Sequence, residues 1–253
     1  MALLTDSDLI TVRDLLAWES DLLETADRER VELETKIDLG TAEIRTEVEA
    51  ELDKILRNGT GGGATAVSAA NIVATPGLLR WAHSRILELF CFECYGHQMN
   101  DRFRMKFEHY RKQAEAARRD YLLRGIGVVD LPLSKPAALT SMPCPGSLPA
   151  GVYYFAAAWT NGRGQQSSLG TLATATLDSA AGLVLEAMNA PANASGWNIF
   201  AGNTPDLLYR QNPAPLALGS PWTQTGVLNL SAPFLSGQTP DRYLRPQRIF
   251  QRG

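Results

Sequence analysis

The sequence predicts two domains of different class, a helical domain followed by an all-β domain. Three observations predict it. Charge is concentrated early: 23 of the 27 acidic residues and 17 of the 24 basic residues precede position 131. Apolar residues recur at three- and four-residue spacing in the first half and in short runs between turn residues in the second. Between the halves lies LPLSKPAALTSMPCPGSLPAG (131–151), whose prolines 132, 136, 143, 145 and 149 cannot continue a helix or enter a central strand. The expected layout is a helical domain over 1–130, an extended linker over 131–151, a β-sandwich over 152–239 and a basic tail over 240–253.

Composition narrows the class further. At 253 residues, 45% hydrophobic and 20% charged, the chain can bury one large core or two small ones. A net charge of −3 opposes tight binding to a phosphate backbone. No apolar run is long enough to span a membrane. The opening MALLTDSDLI lacks the basic start of a signal peptide, and three Cys make no disulfide framework. The expectation is a soluble protein of a reducing cytosol.

The first domain reads as four helices. Helix one starts near Thr5–Asp6, with Leu9, Val12, Leu16 and Leu23 as its buried stripe. Helix two runs from about Arg28 to Leu56 on Leu33, Ile37, Ile44, Val48, Leu52 and Ile55, and Asn58–Gly59 ends it. Helix three starts at Thr75–Pro76, with proline in the first helical position. Its residues Leu79, Trp81, Ile86, Leu89, Phe90 and Phe92 cover more than one face, which makes it central. Helix four carries Phe103, Phe107, Tyr110, Ala114, Ala117 and Tyr121. Gly96 is either the turn between these helices or a small residue inside one long rod. Gly125 ends the last helix, and IGVV (126–129) reads as a short strand.

The second domain reads as a small β-sandwich of immunoglobulin or fibronectin type III character. Its strands are VYYFAAAW (152–159), LGTLATATL (169–177), GLVLEAM (182–188), WNIFAG (197–202), LLYRQN (207–212) and GVLNL (226–230). Asn161–Gly162 is the hairpin signal after the first. Trp159, Trp197 and Tyr154 are the expected large core residues.

No motif carries catalytic chemistry. Cys91–Phe–Glu–Cys94 with His97 has redox or metal spacing, but Cys144 and His83 are the only spare ligands and the run lies in an apolar helix. The glycines of 59–63 lack a P-loop ending. His83, His97 and His109 are too scattered for a triad. The expectation is no enzyme, no cofactor and no metal.

Charge is more informative. Residues 1–57 hold sixteen acidic and seven basic residues, and residues 72–130 seven acidic and ten basic. Two halves of opposite sign either dock copy against copy, closing into a ring, or pair internally. The tail PDRYLRPQRIFQRG interleaves Arg242, Arg245, Arg248 and Arg252 with Tyr243 and Phe250, a composition suited to binding a partner.

Several segments together resemble a known family. LTDSDLITVRDLLAWESDLLETA, VELETKIDLGTAEIRTEVEAEL, VATPGLLRWAHSRILELF and HQMNDRFRMKFEHYRKQAEAAR, ending in GIGVV, resemble the head–tail connector (adaptor) proteins of tailed bacteriophages. The second half looks like the immunoglobulin- or fibronectin-type decoration domains of phage virion proteins. The resemblance implies a virion neck protein assembled in the host cytoplasm. It implies a homo-oligomeric ring of about twelve copies, bound to the portal, that extends the DNA channel and presents a platform to the next neck or tail protein. Genomic DNA would pass without specific binding, and no membrane is involved. Glu43, Glu47, Glu51, Arg102, Arg104 and Arg111 are the expected subunit or channel contacts. Arg242, Tyr243, Arg245, Arg248 and Phe250 are the expected portal or neighbour contacts. A competing reading is a peripheral collar or fibre protein whose sandwich binds a bacterial surface glycan through Trp222 and Tyr209.

Overall fold

The computed structural model describes residues 1–6, 9–57 and 67–245. Five helices precede an all-β region of antiparallel strands. The chain divides into two compact units. One comprises residues 7–130 with 240–253, the other residues 1–6 with 131–239. Both boundaries differ from the sequence expectation: the first six residues belong to the β unit, and residues 240–245, the described part of the expected tail, belong to the helical unit.

In the helical unit the first helix is α1 (Val12–Leu16), not a helix from Thr5. Thr11 caps it in a reciprocal box with Asp14 (Asp14 N to Thr11 Oγ1, 3.3 Å; Thr11 N to Asp14 Oδ2, 2.9 Å). Next come α2 (Leu22–Glu29), which ends on Arg30 in the left-handed region, and α3 (Leu33–Arg57). The expected stripe of α3, from Leu33 to Ile55, is buried in full. Gly40 lets α3 approach its neighbour closely, since a Cβ there would lie 2.7 Å from Ile86 Cγ1.

Helix α4 (Pro76–Gln98) follows N-cap Thr75 with proline at its start, as the sequence predicts, and it is central. Helix α5 (Asp101–Arg124) packs against it, with Phe103, Tyr110, Ala114, Ala117 and Tyr121 buried. The two are separate helices. The break is at left-handed Met99 and at Asn100, whose side chain accepts from Phe103 N; Gly96 lies inside α4.

Beyond α5, strand β1 (Ile126–Val128) is enclosed from both sides. Val73 N donates to Gly127 O (2.9 Å) on one side, and on the other β1 pairs with a strand formed by Arg242–Leu244. That last strand is β9 in chain order.

The β unit holds β2 (Thr140–Leu148), β3 (Gly151–Thr160), β4 (Ala173–Leu177), β5 (Ala181–Glu186), β6 (Gly196–Thr204), β7 (Leu207–Arg210) and β8 (Trp222–Gln224). They form two sheets, ordered β2-β5-β8 and β4-β3-β6-β7. Leu148, Leu183 and Leu185 from the first sheet share a core with Phe155, Trp159, Trp197 and Ile199 from the second, which makes a sandwich. The far face of the four-stranded sheet is also covered: Ala156, Ala158, Phe200 and Leu208 form a second cluster with Phe234 and, partly buried, Tyr154. Central strands covered on both faces read as continuous apolar runs, which is the pattern of VYYFAAAW.

Three expectations fail here for physical reasons. Residues 140–148 are not linker: Pro143 and Pro145 sit in β2, an edge strand where a missing N–H is tolerated. GVLNL is not a strand, and Val227 and Leu230 are exposed; the strand is β8, a few residues earlier. Asn161–Gly162 does not make a two-residue hairpin. Instead Asn161 Oδ1 accepts from Arg163 N and Gln165 N and organises a longer loop.

Asp6, read as a helix start, is buried in the β unit. Its carboxylate accepts from Leu3 N (2.9 Å) and Lys135 N (2.8 Å), and Leu3 and Leu4 beside it are buried.

Candidate functional site

The opposite-sign halves of the helical unit pair with each other. Glu43 of α3 accepts from Arg85 of α4 (2.8 Å), which also reaches Glu88 (2.7 Å). Glu47 of α3 pairs with Arg118 of α5, and Lys36 of α3 with Glu93 of α4. Glu19 takes Lys106 (2.6 Å) and the Tyr110 hydroxyl, and Asp21 takes Arg102 (3.2 Å). Of the two alternatives that the charge pattern left open, internal pairing is the one these contacts satisfy.

The expected contact residues are therefore already partnered. Glu51 pairs with Lys54 one turn on (2.7 Å), Arg104 with Asp101 (3.2 Å) and Arg111 with Glu115 (3.4 Å). Such surface pairs stabilise the unit only slightly each. In the returning strand Arg242 pairs with Asp130 (2.6 Å), and Arg245 Nε donates to Arg124 O (3.0 Å) at the end of α5. Tyr243 is about half exposed, opposite Gly127. Arg248 and Phe250 lie outside the described residues, as do Asn58 and the glycines of 59–63.

The pairs of Arg85 with Glu43 and Glu88, of Glu47 with Arg118 and of Arg111 with Glu115 rim a groove of about 520 Å³. Glu43, Ile44 and Glu47 of α3 form one wall, Phe107, Arg111 and Arg118 of α5 the other, and Trp81, Arg85 and Glu88 of α4 the floor. Continuing along the same face of α4 by helical spacing come Phe92 and Gly96, and Met99 follows at the helix end. Phe92 is 56% and Met99 78% exposed. The Phe92 ring lies 5.2 Å from that of Phe107, so the aromatic floor runs out of the groove onto an open apolar stripe. The sequence pattern assigned Phe92 to the core. The missed signal was its spacing, because it falls with Arg85 and Glu88 and not with buried Leu87, Cys91 and Cys94.

Other candidates are structural. Burial pushes the thiols of Cys91 and Cys94 up, to about 12 and about 11, which leaves them protonated and unreactive at neutral pH. His97 Nδ1 lies 3.0 Å from Glu29 O. Among the described residues no group of His, Cys, Asp and Glu could hold a metal ion. His83 stacks on Trp18, with ring centres 5.4 Å apart, and burial holds its pKa below the ordinary value.

In the β unit, Trp222 packs against the sandwich core and its Nε1 donates to Gln224 Oε1 (3.2 Å). The backbone of Tyr209 bridges to Pro233, and both aromatic residues are partly buried. No described helix is long and apolar enough to cross a membrane. A scan against protein-family models and a search of curated proteins found no match to this chain.

Proposed function

We propose that the chain is a structural protein of the phage neck, a head-to-tail adaptor that packs as a ring of about twelve copies beneath the portal. It extends the DNA channel and offers a platform to the next neck or tail protein. The reading rests on the resemblance of the helical segments to connector proteins. The observation that carries it is the exposed Phe92–Gly96–Met99 stripe beside Phe107, next to a groove whose Glu43, Glu47, Arg85 and Arg118 are paired within the chain. Aromatic and Met side chains left in water at the end of a groove are what a protein interface uses.

The role needs no chemical step, and no catalytic residue is assigned. A duplex that must slide is best served by a wall without strong phosphate contacts, and partnered arginines suit that. The β unit is immunoglobulin- or fibronectin III-like in its plan of a three- and a four-stranded sheet, with a strand order of its own, since its last strand, β8, joins the three-stranded sheet and not the sheet of β6 and β7. We assign it to the periphery of the ring, as decoration or a grip for another neck protein.

The test is electron microscopy of the purified chain mixed with a portal ring from the same phage. A ring of copies seated on the portal is expected, lost in Phe92→Asp with the circular dichroism of the chain unchanged. No binding by the unaltered chain, or rings that Phe92→Asp leaves intact, would overturn the reading.

A further inference from the structure

The sandwich has four sheet edges, of which one is covered and two are blunted. The outer edge of β7 is met by residues 232–234: Arg210 N donates to Ala232 O (2.7 Å) and Phe234 N to Leu208 O (3.0 Å). Edge strand β2 carries Pro143 and Pro145 and is irregular between Cys144 and Leu148. Strand β8 is only three residues long. These are the ordinary ways of blunting an edge.

Strand β4 has none of them. It pairs with β3 along one side, and no hydrogen bond among the described residues reaches its other side. Thr174 and Thr176 are exposed, while Ala175 and Leu177 face the core. The run Thr171–Leu177, TLATATL, has no charge, proline or glycine. An uncharged edge with unpaired N–H and C=O groups is a template for another strand.

We propose that this edge pairs with β4 of a second copy, antiparallel and centred on Ala175. The strand is complementary to itself about that point. A two-fold axis there sets Thr174 opposite the partner's Thr176, and Thr176 opposite the partner's Thr174. Both pairs lie on the solvent face, a favourable cross-strand combination. Ala173 falls opposite the partner's Leu177 on the core side, so each sandwich keeps its buried face. Asp178, the first charge beyond the strand, falls opposite Leu172 of the partner subunit, which keeps the two acids apart. A slip of one residue would set solvent-facing threonines against core-facing residues and is excluded. Sheets β4-β3-β6-β7 of two copies become one continuous sheet, an isologous contact.

The inference does not rest on the ring reading. Neighbours in a cyclic ring are not related by a two-fold axis, so this pair belongs to copies outside a ring.

The experiment is light scattering of the full chain over a wide concentration range, with hydrogen exchange of residues 173–177 on the same samples. A dimer is expected, with amide protection in β4 that rises with concentration. Thr174→Lys with Thr176→Lys sets lysine against lysine across the two-fold and abolishes both signals, with the melting temperature of the dilute, monomeric chain unchanged. Thr174→Glu with Thr176→Lys sets unlike charges opposite each other and retains the dimer. A chain that stays monomeric throughout, with β4 exchanging freely, overturns the proposal. So does a dimer indifferent to the double lysine variant.

Discussion

Replacing Leu244 by Ala should unfasten the helical unit while leaving the β unit intact. Leu244 is 8% exposed and sits opposite fully buried Ile126 in the β1–β9 pair. Around it Asp241 N donates to Val128 O (2.9 Å), Asp130 N donates to Asp241 Oδ2 (2.8 Å), and Arg242 pairs with Asp130. Truncating a buried Leu costs about 2–5 kcal/mol. The site is a two-stranded ribbon that can partly close over the gap, so about 2–3 kcal/mol is expected here. Hydrogen exchange resolved by segment is the assay. Amides of residues 126–129 and of Val73 should lose protection by about thirtyfold to a hundredfold, at about 1.4 kcal/mol per tenfold. Those of β3 and β6 should not change. Unchanged protection at 126–129, or loss confined to the β unit, would refute the assignment of residues 240–245 to the helical unit. The same reasoning sets where a tail deletion must start. Cutting before Pro240 removes β9 and confounds assembly with stability, whereas cutting after Arg245 does not.

Two further outcomes follow from local geometry. Burial depresses the pKa of His83 against the weaker opposing influences of the Leu79 carbonyl and Asp14. As pH falls below about 6.5 the unfolded chain takes up the proton before the folded one, so stability falls with pH in that window. His83→Gln should flatten that slope in urea midpoints. A Cβ at Gly202 would collide with Leu207 O where β6 turns into β7, so Gly202→Val should destabilise the β unit by about 1–3 kcal/mol, read as a lower denaturation midpoint.

What the sequence made legible was local. The α3 stripe, the Thr75–Pro76 start of α4 and the buried Trp159 and Trp197 follow from spacing and residue type alone. What it hid depends on distant partners. Asp6 has the look of a helix cap, but one of the N–H groups it binds belongs to Lys135, far along the chain. Prolines 143 and 145 read as strand breakers because edge position is set by pairing with β5, which spacing does not encode. The basic aromatic run after Pro240 read as a free tail because nothing near it announces β1 as its partner. The site was half legible for the same reason. The opposite signs of the two helical halves stand in the composition, whereas the pairing of Glu47 with Arg118 inside one copy appears only when α3 and α5 meet around α4.

Gly96 separates the needs of the fold from those of assembly. A glycine inside a helix costs about 1 kcal/mol relative to alanine, so it calls for a reason. The usual reasons are absent within this unit: its backbone is not left-handed, and a Cβ built on it would meet no atom within 4 Å. It lies between Phe92 and Met99 on the stripe proposed to contact a neighbour, where another chain could come close only to a bare backbone. Gly96→Ala should therefore raise the melting temperature of the helical unit, by up to about 1 kcal/mol of stability, and at the same time weaken ring formation on the portal. Gly96→Leu should abolish assembly with no loss of fold. If both variants assembled as well as the unaltered chain, the stripe would not be the subunit contact. Since the ion pairs are satisfied within each copy, the reading of this helical unit as a ring subunit would lose its main physical support.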